Sequence, residues 1–152
     1  MNISMTRTEG LAASLLLVAA LVTGAAPKAD GADGDAQVKP VLAQKLPNLP
    51  GQSLTVVTVS YAPGGKSAAH RHAGSVFAYV LSGAIRSETS ATGPAKVYQA
   101  GESFFEPPGS RHLVSENASA TEPASLLAVF VAAEGAQLTT FDPPASQGGV
   151  TK

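Results

Sequence analysis

The chain contains no cysteine. That excludes disulfides, thiolate nucleophiles and every cysteine-based metal site. A transition-metal site in this protein has to be built from histidine and carboxylates. Histidine is scarce as well: there are three, His70, His72 and His112. Charged residues make up only 14% of the chain, and the formal net charge is −1. No run of lysine or arginine occurs, so the chain lacks the clustered basic surface that nucleic-acid binding requires. Gly-x-Gly-x-x-Gly and P-loop patterns are missing, as is any repeat of solenoid or propeller length. No apolar run reaches the ~20 residues that span a bilayer comfortably.

What is present divides the chain into segments. Residues 1–26 read as a secretory signal peptide. Arg7 supplies a weak positive start, partly offset by Glu9, and residues 11–22 form a continuous apolar stretch. Thr23-Gly24-Ala25-Ala26 then offers small residues for cleavage after Ala25 or Ala26. This predicts a periplasmic or secreted protein with no stable membrane insertion once the signal is removed; an uncleaved anchor is the alternative. Residues 27–40, rich in Ala, Gly, Asp and Lys, read as a disordered linker. Residues 41–141 form the expected folded domain, near the ~100 residues of a common small domain. Residues 142–152, with two prolines and two glycines, read as a flexible tail.

The expected fold class is all-β. No stretch of the domain sustains a helical period, whereas short β-branched and aromatic runs recur between Gly and Pro. The runs lie at 53–61, 75–81, 84–88, 96–99, 103–106, 111–115 and 125–132. Short strands with turns this frequent suggest a sandwich, a jelly roll or a barrel, and periodicity does not choose among them.

His70 and His72 are separated by one residue, so on a strand both imidazoles face the same way while Arg71 faces the other. His112 opens another run forty residues later. A third imidazole arriving from a neighbouring strand completes a three-nitrogen cap with open metal positions. Ordinary core or surface histidines remain the alternative at this point.

The surrounding residues narrow the choice. Gly64, five residues, His70-Arg71-His72 and then Gly83 resemble the first motif of the cupin family. Gly101, five residues, Pro107-Pro108-Gly109, two residues and His112 resemble the second. The resemblance covers residues 53–132. It implies a double-stranded β-helix, or jelly-roll barrel, with a divalent metal bound in one mouth by His70, His72 and His112, often in a homodimer. Two positions depart from the family pattern. The family's glutamate ligand, which follows the second histidine after three or four intervening residues, falls here on Val76 and Phe77. The family's closing asparagine falls on Glu116, with Asn117 one place later.

Three neutral imidazoles leave the +2 charge of a divalent ion uncompensated and favour anionic ligands. Within cupins, such iron sites resemble those of diketone-cleaving and thiol dioxygenases. The resemblance therefore implies a metal-dependent dioxygenase acting on a small oxygenated organic substrate. The other readings are a non-catalytic metal or small-molecule binding module and, more weakly, an isomerase or hydrolase. Iron heads the expected metals; manganese, nickel and zinc are the alternatives. Glu106, ahead of the Pro-Pro-Gly turn, is a candidate fourth ligand or an acceptor for an imidazole N–H. Arg86, Tyr79 and Tyr61 are candidate pocket residues, Arg86 on condition that Gly83 does not break the strand register. Phe77, Tyr79, Phe104, Phe105 and Phe130 are expected to pack in the core.

Overall fold

The computed structural model describes residues 36–143. The signal peptide, residues 27–35 of the expected linker and the tail from residue 144 onward lie outside the described residues. Ten strands run in chain order: β1 (Ala36–Lys45), β2 (Gln52–Tyr61), β3 (His70–His72), β4 (Ser75–Ser82), β5 (Ala84–Thr89), β6 (Lys96–Gln99), β7 (Ser103–Glu106), β8 (Arg111–Asn117), β9 (Ala124–Ala133) and β10 (Thr139–Phe141). One antiparallel sheet has the order β1-β2-β9-β4-β7 and the other β10-β3-β8-β5-β6. The two form a double-stranded β-helix whose inner faces enclose the core. The all-β expectation holds, and each of the seven expected strands is present within a residue or two of its predicted ends.

Alternation in the sequence makes these faces. In β9, Ala124, Leu126, Ala128, Phe130 and Ala132 point inward and are buried, while the residues between them are half-exposed. Val76, Ala78 and Val80 form the neighbouring inward row on β4 of the same sheet, all within 1% of complete burial. Burial of a valine of this kind contributes roughly 1.5–3 kcal/mol. Three small residues in the β9 row leave room for something other than side chains between the sheets.

The inward row is even-numbered on β4 and odd-numbered on β5, where Ile85, Ser87 and Thr89 are buried. The change of parity happens at Gly83. Its φ is +67°, and a Cβ there would lie 2.6 Å from the Pro123 carbonyl oxygen and 2.9 Å from Ala124. Only glycine fits the conformation and the contact. The flip has a direct consequence for Arg86, which faces outward and pairs with Glu116 at 3.5 Å. Arg86 is therefore not a pocket residue.

Tyr79 is corrected in the same way. It lies on the outer face of β4, 39% exposed, with Phe77 at 45% and Phe105 at 51%. The register puts Phe77 opposite Phe105 on that outer face. Of the aromatics expected in the core, only Phe104 and Phe130 turn inward.

Both ends of the expected domain also move. β1 begins at Ala36, inside the stretch read as linker, and pairs with β2 along its whole length. Its register shifts between Pro40 and Leu42, an irregularity of the kind that accommodates proline on an edge strand. At the other end, Asp142 belongs to the fold. Arg71 and Arg111 sit directly opposite each other on β3 and β8, a like-charge pair that would repel. Asp142 accepts from both, from Arg71 Nη2 at 3.0 Å and from Arg111 Nη2 at 2.6 Å and Nε at 3.0 Å. Those two arginines hold its carboxyl below the usual aspartate range through hydrogen bonds and charge. Its backbone N–H donates to the Ala69 carbonyl at 2.9 Å, so β10 is tied to β3 by side chain and backbone together.

Two outcomes follow. Gly83→Ala should lower unfolding free energy by about 2 kcal/mol or more, from the left-handed backbone and the Ala124 contact, measured by urea denaturation; an unchanged midpoint would contradict the account. Asp142→Asn should speed hydrogen exchange at the amides of Ala73 and Asp142, which bond to Leu138 and Ala69. The β2 and β9 amides should be unaffected.

Candidate metal centre

The strand register brings the histidines together. His70 is directly opposite His112 across β3 and β8. His72 shares the inward face of β3, since Arg71 between them is exposed. All three imidazoles are buried, with exposures of 6%, 7% and 3% for His70, His72 and His112. One nitrogen from each lies within 4.8 Å of the others, a spacing that one ion can bridge.

Hydrogen bonds fix the orientation of the rings. His70 Nδ1 donates to the Ala68 carbonyl at 2.7 Å, and His72 Nδ1 to the Leu138 carbonyl at 3.1 Å. Both bonds use the Nδ1 proton and leave Nε2 with its lone pair free. Thr139 Oγ1 stands 3.2 Å from His72 Nδ1, and Phe141 packs on His70 with ring centroids 5.5 Å apart. β10 therefore supports two of the three imidazoles, a role invisible in a three-residue strand read as sequence.

Glu106 completes the cluster. It is 3% exposed, and the β4–β7 register sets it directly opposite Val76. The family's carboxylate position and Glu106 are thus cross-strand neighbours on the same inward face. Oε2 of Glu106 lies 3.0 Å from His112 Nδ1 and 3.8 Å from His72 Nε2. Although close, neither Glu106 Oε2 nor His112 Nδ1 has a hydrogen-bond partner. On its other side His112 meets Ser87 Oγ, 2.9 Å from Nε2. If Nε2–H donates to Ser87, His112 Nδ1 and Glu106 Oε2 are two lone-pair atoms facing each other in a buried site. Buried polar atoms left unpaired cost about 1–3 kcal/mol each, and a cation between them removes the cost. The donor set of three imidazole nitrogens and one carboxylate oxygen fits a divalent transition metal.

Electrostatics of the metal-free site agree with ligand function. Burial holds His70 down to about 4, against its bond to Ala68, which raises it. Burial lowers His72 as well, against the opposing influence of Glu106 and the Leu138 carbonyl. Burial alone would raise the Glu106 carboxyl, but the neighbouring His112, His72 and His70 bring it below the ordinary range. His70 and His72 are therefore neutral and the Glu106 carboxylate ionised at neutral pH, the forms that bind metal.

The cluster opens on a cavity of about 100 Å³. Its walls are mainly aliphatic and aromatic, from Val57, Val59, Leu126, Phe104, Phe130 and Phe141. The volume is well below the ~300 Å³ at which drug-sized pockets begin, so a flavonol does not fit and a molecule of a few carbons does. Tyr61 lines this cavity, 3% exposed. Burial raises its phenol, which stays protonated at neutral pH. Ser67, Ser87 and Ser115 went unnoticed in the sequence, where serine is common and carries no spacing signal.

Metal-free protein should lose stability as pH falls. Unfolded histidine protonates near ~6.5, whereas folded His70 protonates near 4. Between those values the unfolded chain binds more protons, so acid favours unfolding. His70 alone should remove about 2 kcal/mol between pH 7 and pH 5, read as a drop in urea midpoint. Equal midpoints at the two pH values would show that His70 is not held neutral.

The fold agrees with comparisons to known proteins. Residues 57–130 match the family model described as Cupin domain. No curated protein matches the chain. Among solved structures, a cupin-like protein from Thermotoga maritima is 18% identical, with a TM-score of 0.56 over 74% of this chain and 79% of that one. The polyketide cyclase RemF from Streptomyces resistomycificus is 17% identical, with a TM-score of 0.54 over 73% of this chain and 75% of that one. A DMSP lyase structure is 20% identical, with a TM-score of 0.51 over 59% of this chain. The matched part spans only 44% of that lyase. Identities this low establish a shared fold. The family match over residues 57–130 and the shared fold together show that the chain carries a domain of the cupin superfamily.

Proposed function

We propose that the chain is an exported, metal-dependent oxygenase acting on a small oxygenated organic molecule. One observation carries this reading. Three buried imidazoles offer nitrogens within 4.8 Å of one another at the edge of a small apolar cavity, with the buried Glu106 carboxylate 3.0 Å from His112 Nδ1. His70, His72, His112 and Glu106 would hold the ion. Glu106 brings the centre from +2 to +1, so the site regains from β7 the charge balance that Val76 withholds on β4. A bound divalent ion supplies Lewis acidity and, where it is iron, a place for oxygen to react. Iron is the proposed metal, with manganese, nickel and zinc as alternatives within the same donor set. The protein's own part is to hold the rings through Ala68, Leu138 and Ser87 and to keep bulk water out with an apolar wall. Support for export comes from residues 1–26, and for a homodimer from the family resemblance.

A second reading, a non-catalytic metal or small-molecule binding module, has an observation in its favour. Among the described residues that line the cavity outside the ligand set, Tyr61 is the only titratable side chain, and its raised phenol is no general base at neutral pH.

Anaerobic iron loading should give one iron per chain. His70→Ala should abolish it, and Glu106→Gln should weaken it by about tenfold or more, measured by competition with a chelator. Oxygen uptake with small diketones would then support the oxygenase. Iron bound without any oxygen consumption would favour the binding module, and normal iron affinity in Glu106→Gln would remove the carboxylate from the ligand set. Mass spectrometry of periplasmic protein should show a chain beginning after Ala25 or Ala26; a full-length mass would count against export.

A further inference from the structure

The wall of the cavity carries a second polar feature that the metal ligands do not use. Tyr61 Oη lies 2.9 Å from Ser67 Oγ and 2.8 Å from Ser115 Oγ. Tyr61 comes from the end of β2 and Ser115 from β8, so the group joins the two sheets. Three hydroxyls carry three protons, and the two hydrogen bonds among them use two. One O–H is left to donate. All three residues line the same cavity as the histidines.

Ser115 lies three residues beyond His112 on β8, about 10 Å along the strand. Both side chains are buried on the inner side, across a register shift in the β5–β8 pairing that falls between Glu88 and Thr89. A metal–oxygen bond takes about 2 Å of that distance and a hydrogen bond about 2.8 Å. The remaining gap is roughly 5 Å, the length of a chain of three or four carbons. Neither lysine nor arginine lines the cavity. A second anionic group at the hydroxyl end would be buried without a counter-charge, which is costly.

We infer that the cavity takes a short aliphatic molecule with two oxygen functions of different kinds. One oxygen, anionic or enolic, binds at the metal; the other is an uncharged carbonyl oxygen that accepts from the Tyr61–Ser67–Ser115 hydroxyls. This inference rests on the metal centre proposed above and names its substrate class. Tyr61 and Ser115 become the residues that select for the far carbonyl, and the apolar wall between the two polar ends sets the length.

The test uses the full chain loaded with cobalt(II), its stoichiometry and visible absorption recorded before any ligand is added. Three five-carbon probes are then compared by calorimetry: 4-oxopentanoate, pentanoate and pentanedioate. They share the metal-binding carboxylate and differ only at the far end, as carbonyl, methyl or second anion. 4-Oxopentanoate should bind about tenfold tighter than pentanoate, the worth of one hydrogen bond, and pentanedioate should bind weakest. Tyr61→Phe and Ser115→Ala should each erase the preference for 4-oxopentanoate while leaving cobalt content and pentanoate affinity unchanged. Cobalt binding without discrimination among the probes would overturn the inference alone. A preference that survives in both variants would do the same. Failure to bind cobalt would overturn the metal reading, and this inference with it.

Discussion

The site depends on strand register. His70 faces His112 and Val76 faces Glu106 because two antiparallel pairings hold their alignment without slipping. A slip of one residue on β7 would turn Glu106 to the outer face and bring Phe105 inward. Four groups that prefer water are instead buried within a few ångströms of one another, and desolvation on that scale is tolerated only with a compensating charge. The hydrophobic core on β4, β5 and β9 supplies the stability against which this cost is set. Its inward rows also fix the register, since any slip would expose them.

Glu106 stands on β7 directly across from Val76, the β4 position at which the family pattern has its carboxylate. Val76 and Glu106 occupy directly opposed positions, so a side chain at either points at the same space. A carboxylate at Glu106 enters that space from β7 and not from β4. The β4 side of the centre becomes aliphatic, because Val76 is buried there with almost no exposure. The open face of the site accordingly borders hydrocarbon rather than a carboxylate, in keeping with a substrate that has an apolar middle.

Much of this was legible in the sequence, and the rest was hidden for physical reasons. The central strands announce themselves through β-branched alternation, and the glycine and proline spacing around the histidines marks both motifs. The first half of β1, residues 36–40, falls in the expected linker because of its Gln, Lys and Pro40; its order comes from pairing with β2, which composition does not report. β10 is too short to show a period. Arg86 was misread at a single point: parity carried through a loop fails when Gly83 takes a left-handed φ. The aromatics Phe77, Tyr79 and Phe105 have strong strand propensity, but propensity does not say which face of the sheet they take. Glu106 was recognisable as unusual, yet its opposition to Val76 is a fact of pairing between distant segments. Asn117 illustrates the same point: it is buried and bonds Ala62 and Glu122, one place later than the motif predicts.

The clasp of Asp142 between Arg71 and Arg111 bears on the order in which the protein is made. His70, His72 and Glu106 are synthesised well before residues 138–142, yet the Leu138 carbonyl and Phe141 are what steady the first two. During synthesis, these side chains are present before the segment that aligns them. The centre reaches its final rigidity only when Asp142 has emerged and closed on the two arginines. The alignment of His70 and His72 is therefore completed by residues made about seventy positions after them, so the geometry of the cluster is a property of the finished domain and not of its first half.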